Sequence, residues 1–325
     1  MLLRRRWVLT IAAAIASQPG NAQAGGFRSS DVGSSANPSV QAVAHMSELM
    51  RQRSGGRLLI ADLGVSDPDS ERFTVAQVRT GMLDMARVSV SALHGTVPAT
   101  VIPTLPFLFA STEQRRRSLE GPVGEELLAS LAAVDLVGLC FYDAGPRSIY
   151  TPGKPVRTPA DMKGLKIRVQ TSSTMAEVMH ALGAHPVQTP YAHVRTQLAA
   201  GTIGAAENNL VSYLASRHHE VAGVYSLTEH VAPPAVVIFS SQVWNRLPKE
   251  DQGIIREAAR DSVAYHCKVF DEQEAAARAT LANAGIQFVS DVDKPAFARI
   301  LASLYPRLVA DPRHRILVER IQAGE

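Results

Sequence analysis

The run Asp161-Met162-Lys163-Gly164-Leu165-Lys166-Ile167-Arg168-Val169-Gln170, continued to Gly204-Ala205-Ala206-Glu207-Asn208-Asn209, decides the fold. Leu165, Ile167 and Val169 alternate with Lys166, Arg168 and Gln170, the period of a strand with one apolar face. Thr174 with Glu177 has the form of a capping box. Met175, Val178, Met179 and Leu182 then repeat at helical spacing, and Gly183 can end the helix in the left-handed conformation. A short strand is expected at residues 186–189, a helix at 193–200 stopped by Gly201, a strand at 203–207 and a helix from Leu210. Strand and helix alternate three times, which predicts a parallel sheet with right-handed crossovers. Ligands of such sheets sit beyond the carboxyl ends of the strands. Arg168, Tyr191, Glu207 and Asn208 all fall there, so separate segments aim polar side chains at one rim.

Arginine at such a rim has a specific use. Its planar guanidinium holds a carboxylate through two parallel bonds, and exclusion of water strengthens the pair. Arg147 and Arg168 are the candidate anchors. Glu207 and Asn208 are suited to hydroxyls, and Tyr191 offers an apolar wall with a polar edge.

Lys163-Gly164-Leu165-Lys166-Ile167-Arg168-Val169, with Ala181-Leu182-Gly183-Ala184 and Glu207-Asn208-Asn209, resembles the TRAP transporter solute-binding proteins of the DctP type. The likeness extends through His218–Glu220 and residues 227–230, and spans about residues 27–307. It implies a two-domain α/β fold like that of periplasmic binding proteins, with a hinged cleft. It also implies that Arg168 holds a ligand carboxylate, that Arg147 assists, and that Asn208 lies at the site. The partners implied are a small organic acid and the membrane permease subunits, with no cofactor. Phe27-Arg28-Ser29-Ser30-Asp31 and Asp84-Met85-Ala86-Arg87 resemble the hexuronate-binding branch, which adds Asp31, Arg87 and Ser89 as ligand-binding candidates. A uronate, with one carboxylate and a ring of hydroxyls, suits such a set. The chain departs from that branch at Gly33, where histidine is frequent, at Ser89, where asparagine is, and at Leu210-Val211, where Trp-Pro is.

The amino terminus and the charge agree with export. Arg4, Arg5 and Arg6 precede an apolar stretch from Trp7 to Ala16, and Ala22-Gln23-Ala24 offers a cleavage site, so residues 1–24 read as a secretory signal peptide. That segment holds three of the 33 Lys and Arg and none of the 30 Asp and Glu, so the mature chain balances at 30 against 30. No polybasic patch remains to recruit nucleic acid. No other apolar stretch is long enough to span a membrane, so the mature protein is expected in the periplasm. Cys140 and Cys267 match no metal spacing and read as free thiols.

The rest of the chain supplies the other domain. Strands are expected at 27–32, 57–62, 83–90 and 136–142, with Asp84, Arg87 and Ser89 near the cleft. Helices are expected at 40–50, 73–81 and 111–131, and Leu105–Phe109 is an apolar loop. Gly145-Pro146 marks a bend and a first crossing between domains. Pro233-Pro234 and the apolar run 235–239 mark the return. A helix from Pro248 to about Ala284 is long enough, at on the order of 50 Å, to brace both domains. A short strand at 287–289 and a last helix at 296–308 complete the chain. The division expected is residues 25–145 with 234–273, and 146–233 with 274–325.

Catalytic signatures are missing. There is no G-x-S-x-G elbow, H-E-x-x-H, Walker loop or G-x-G-x-x-G. His218, His219 and Glu220 are adjacent and do not share a helix face, so they read as a surface or cap cluster. The expectation is a receptor for a sugar acid. The rivals are a receptor for a dicarboxylate or other carboxylate, and a periplasmic enzyme acting on a sugar acid.

Overall fold

The computed structural model describes residues 26–65 and 71–325, so the signal peptide expected at 1–24 lies outside the described residues. In chain order the strands are β1 (Phe27–Asp31), β2 (Ile60–Val65), β3 (Met85–Ser89), β4 (Leu136–Tyr142), β5 (Arg147–Thr151), β6 (Lys166–Val169), β7 (His185–Gln188), β8 (Ala205–Asn208), β9 (Val224–Val231), β10 (Ala235–Ser240) and β11 (Gln287–Val289). They form a five-stranded sheet, β2-β1-β3-β10-β4, and a six-stranded sheet, β11-β9-β5-β8-β6-β7.

In the first sheet β1 runs parallel to β2 and β3, while β10 inserts antiparallel between β3 and β4. Every residue of β10 is buried, because helices cover both faces of the sheet. Its side chains alternate between two cores. Val236 and Ile238 join Leu93, Leu127 and Leu136 on one face, whereas Val237 and Phe239 join Met46, Met50 and Ile255 on the other.

In the second sheet β6 pairs in parallel with β7 and β8, as the alternation over 161–209 predicts. Ile167 and Val169 pack with Met175, Val178 and Met179. One local reading is corrected. The helix Ser173–Ala181 is capped by Ser172, whose hydroxyl accepts from the Met175 amide, and not by Thr174 with Glu177. Along this strand Lys166 is exposed, whereas Arg168 on the same face is only 5% exposed.

The chain passes between the sheets three times, from β4 to β5, from β9 to β10, and from β10 to β11 through the helix Lys249–Asn283. Gly145, in the first passage, has φ +69°, and a Cβ there would sit 2.8 Å from the Phe270 ring, so both conformation and space demand glycine. Asp143 beside it is buried and accepts from Arg115 Nε at 2.7 Å, Arg116 Nε at 3.0 Å and the Gly145 amide at 3.1 Å. Burial alone would raise its pKa, but these partners hold it below the usual carboxylate value.

The helix Lys249–Asn283 has 35 residues, with Pro248 at its cap instead of its first turn. Ile255, Ala258, Ala259 and Val263 sit in the first sheet's core, and Ala277 and Leu281 pack with Tyr150, Tyr213 and Tyr225 under the second. One rod thus serves both cores.

Three further expectations change. The helix expected at 111–131 is two, Thr112–Glu120 and Pro122–Ser130, broken where Pro122 disfavours helical geometry at Gly121. The helix expected at 296–308 is likewise two, Lys294–Ala302 and Tyr305–Leu308. The helix Pro312–Gln322 was not anticipated, and its Leu317, Val318 and Ile321 lie in the first sheet's core, away from the second-sheet group to which 274–325 was assigned. Cys140 is buried and Cys267 half-buried, both as free thiols, and burial pushes Cys140 up to about 12. Among the described residues no helix is long and apolar enough to cross a membrane.

Candidate functional site: an arginine-lined cavity between the sheets

A cavity of about 520 Å³ lies between the two sheets, with the long helix contributing Phe270, Gln273 and Ala277 to its wall. The sheet register explains which side chains reach it. In the antiparallel pairing of β5 with β8, Ser148 faces Asn208 and Ile149 faces Glu207. Arg168 of β6 faces Ala206 in the parallel pairing with β8. The first residue of β5 and the carboxyl ends of β6 and β8 therefore meet at one edge, and Arg147, Arg168, Tyr191 and Asn208 all line the cavity.

The two arginines there have unlike surroundings. Arg147 donates from Nη2 to Glu207 Oε1 at 2.8 Å and to the Glu207 carbonyl at 2.7 Å, from Nη1 to Asn208 Oδ1 at 2.6 Å, and from Nε to Glu207 Oε2. Burial would lower its pKa, but the Glu207 carboxylate more than compensates and raises it. Among the described residues Arg168 donates only from Nε, to the Thr189 carbonyl at 2.9 Å, and lies 5.7 Å from the Tyr191 ring centroid. No carboxylate forms a salt bridge with it among the described residues. Burial lowers its pKa and Arg147 adds to the effect, against the attraction of Glu207. A guanidinium remains protonated even so. Arg168 is thus a buried cation beside a cavity, and among the described residues its terminal nitrogens have no hydrogen-bond partner.

The first sheet supplies the facing wall. Arg87 donates from Nε to Asp31 Oδ2 at 2.7 Å and from Nη2 to Oδ1. Burial opposes its charge, but Asp31 raises its pKa nonetheless. The Ser89 amide donates to Glu71 Oε1 at 2.9 Å, and Gln170 Nε2 of the second sheet donates to Ser89 Oγ at 3.4 Å. Burial raises the pKa of Glu71, moderated by Arg87.

Arg87, Ser89, Arg147, Arg168, Tyr191 and Asn208 line the cavity, whereas Asp31 and Glu207 do not. Each of those two carboxylates instead sits behind an arginine and holds it in place. An arginine fork engages both oxygens of each. Asp84 is also withdrawn, taking the Arg28 guanidinium at 2.8 Å with no exposure. His218 is buried and shares a 2.7 Å hydrogen bond with the Tyr150 hydroxyl, in place of the expected surface role.

Sequence reasoning missed Glu71, Ser91 and Gln170, which line the cavity. Ser91 Oγ and Gln170 Oε1 are buried without a hydrogen-bond partner among the described residues. The alternation in β6 carried a signal for Gln170, two residues beyond Arg168 and on its face. Nothing local distinguished Glu71 or Ser91, which the first sheet's topology brings in.

Two sheets linked by two passages and a shared helix, around a cavity with an unmatched guanidinium, define a cleft-type binding protein. The chain belongs to the bacterial extracellular solute-binding protein family 7, DctP, whose model matches residues 29–311. A solute-binding protein of Chromohalobacter salexigens is 32% identical over 310 residues, covering 94% of this chain and 91% of its own. A TRAP periplasmic solute-binding protein of Bradyrhizobium sp. BTAi1, solved in complex with α/β-D-galacturonate, is 43% identical with a TM-score of 0.89, covering 92% of this chain and 99% of its own. One from Roseobacter denitrificans, solved with bound β-D-glucuronate, is 32% identical with a TM-score of 0.88, covering 92% and 100%.

Proposed function

We propose that this protein is the periplasmic solute-binding subunit of a TRAP transporter, that it binds a hexuronate such as galacturonate or glucuronate in the cavity, and that it delivers it unchanged to the membrane permease. The observation that carries the reading is Arg168, buried beside the cavity with no carboxylate of its own. A ligand carboxylate would complete it, with Tyr191 flanking. Arg147, held by Glu207, adds positive potential. Asn208 gives its oxygen to Arg147, which turns its amide nitrogen toward the ligand. Glu71, Ser89, Ser91 and Gln170 take the hydroxyls, with Arg87 oriented by Asp31. The uronates bound by the Bradyrhizobium and Roseobacter proteins support this class of ligand.

Closure follows from the two walls, since a ligand touching both favours the state in which both sets of contacts exist. The lobes of this reading are 26–145 with 234–273, and 146–233 with 274–308. The packing of Pro312–Gln322 on the first core supports assigning that helix to the first lobe.

Titration calorimetry of the mature protein with galacturonate, glucuronate, malate and a neutral hexose tests the reading. Saturable heat from a uronate, with the uronate recovered intact, is expected. Tight malate binding without heat from either uronate overturns the sugar-acid assignment, and tight binding of the neutral hexose overturns the carboxylate anchor.

A further inference from the structure

We infer that His94 and Ser172 form a closure clasp beside the cavity, so that His94 is a positioning residue that sets the affinity for every ligand without touching any. His94 follows the turn Val90–Leu93 after β3, in the first sheet's half, and is 7% exposed. Ser172 follows β6, caps the helix Ser173–Ala181 in the second sheet's half, and has no exposure. His94 Nδ1 lies 2.9 Å from Ser172 Oγ. The two side chains are carried by different sheets, and their chain neighbours Ser91, Ala92, Gln170 and Thr171 line the cavity.

The surrounding bonds fix the direction of this contact. Thr104 donates its hydroxyl proton to the Val101 carbonyl at 2.8 Å, so toward His94 Nε2, at 3.4 Å, it acts as acceptor. That makes Nε2 the protonated nitrogen and Nδ1 the lone pair. Ser172 Oγ accepts from the Met175 amide at 3.3 Å, and its own proton is therefore free to go to His94 Nδ1. Each group has the role the other needs. Burial keeps the imidazole neutral, its pKa pushed down to about 4.

A hydrogen bond between two moving bodies exists only when they are together, so it weights the closed state whether or not ligand is present. A ligand that binds the closed state gains the same factor from this weighting whatever its chemistry. A contact residue behaves differently, because it discriminates among ligands.

The test compares His94→Leu, which lacks the acceptor, with His94→Asn, whose amide oxygen replaces Nδ1. Ser172→Gly removes the donor from the other side, and glycine is tolerated at a helix cap, so this variant keeps the question open if a His94 variant fails to fold. Two readouts are used: the distance between spin labels on the two sheets in ligand-free protein, and the affinities for galacturonate and glucuronate. His94→Leu and Ser172→Gly are expected to lower the closed fraction and to weaken both uronates by one common factor of about three to ten, the worth of a single hydrogen bond. His94→Asn is expected to recover part of the loss. An unchanged closed fraction overturns the clasp, and so do unequal effects on the two uronates, which indicate direct contact. The affinity readout rests on the uronate reading, whereas the ligand-free distance does not, so failure of one is separable from failure of the other.

Discussion

Glu207 gives both carboxylate oxygens to Arg147 and none to Arg168, although both arginines line the same cavity. The three side chains come from adjacent strands, and the register of β8 between β5 and β6 sets the outcome. The result is one neutralised guanidinium and one left for something else.

Arg168→Ala is therefore expected to separate binding from stability. Uronate affinity falls by on the order of 2–5 kcal/mol, because the ligand carboxylate then lies buried without its partner. The ligand-free fold does not weaken, since the group removed is a buried charge lacking a counter-ion. Arg168→Lys keeps the charge but loses the fork, and also binds poorly. Calorimetry and denaturant titration measure the two effects, and near-native affinity in Arg168→Ala removes the anchor from the argument.

Glu207→Gln is expected to act in the opposite sense. It leaves Arg147 buried without a counter-charge, which costs roughly 3–5 kcal/mol of folding stability. Saturating uronate restores part of the loss by bringing a carboxylate. A denaturation midpoint equal to that of the parent protein contradicts the proposed support.

Acid is expected to destabilise the fold through histidine. Burial pushes His94, His218, His230 and His266 each from an ordinary 6.5 down to about 4. Between those values the unfolded chain binds protons that the native state refuses, so stability rises with pH across that window and is lost as pH falls through it. Each histidine contributes up to about 1.4 kcal/mol per pH unit. Denaturation midpoints taken from pH 7 to pH 4.5 check this, and a flat profile refutes it.

Ile321→Ala is expected to cost about 2–5 kcal/mol, as for a well-packed aliphatic side chain. Ile321 is 1% exposed in the first sheet's core. The ratio of galacturonate to glucuronate affinity does not change, because the residue is remote from the cavity wall. A change in that ratio argues for coupling between the last helix and the site.

The second sheet was largely legible because its signals are local. The alternation of Ile167 and Val169 with Arg168 marked the strand, and glycines marked the helix ends. Arg168, Tyr191 and Asn208 could be placed by topology, since strand ends converge, whereas Arg147 came from its chemistry and the resemblance. The arginine partners of Asp31 and Glu207 were not legible, because a residue type does not reveal which neighbour engages it. Glu71 and Ser91 were missed because they reach the cavity only through pairings between distant segments. The break at Gly121-Pro122 was visible in the letters but was overridden by the helical pattern on either side. The last helix escaped because the assignment of its segment followed chain order, while its apolar face answers to a core built mostly from residues more than 170 positions earlier.

The helix Lys249–Asn283 plays two parts at once. It is the shaft seated in both cores, and through Phe270, Gln273 and Ala277 it is also a wall of the cavity. Gly145, where the chain first passes between the sheets, rests against that same Phe270 ring. On the proposed reading, a ligand against that wall and a change in the angle between the sheets would therefore both act on one side chain, Phe270.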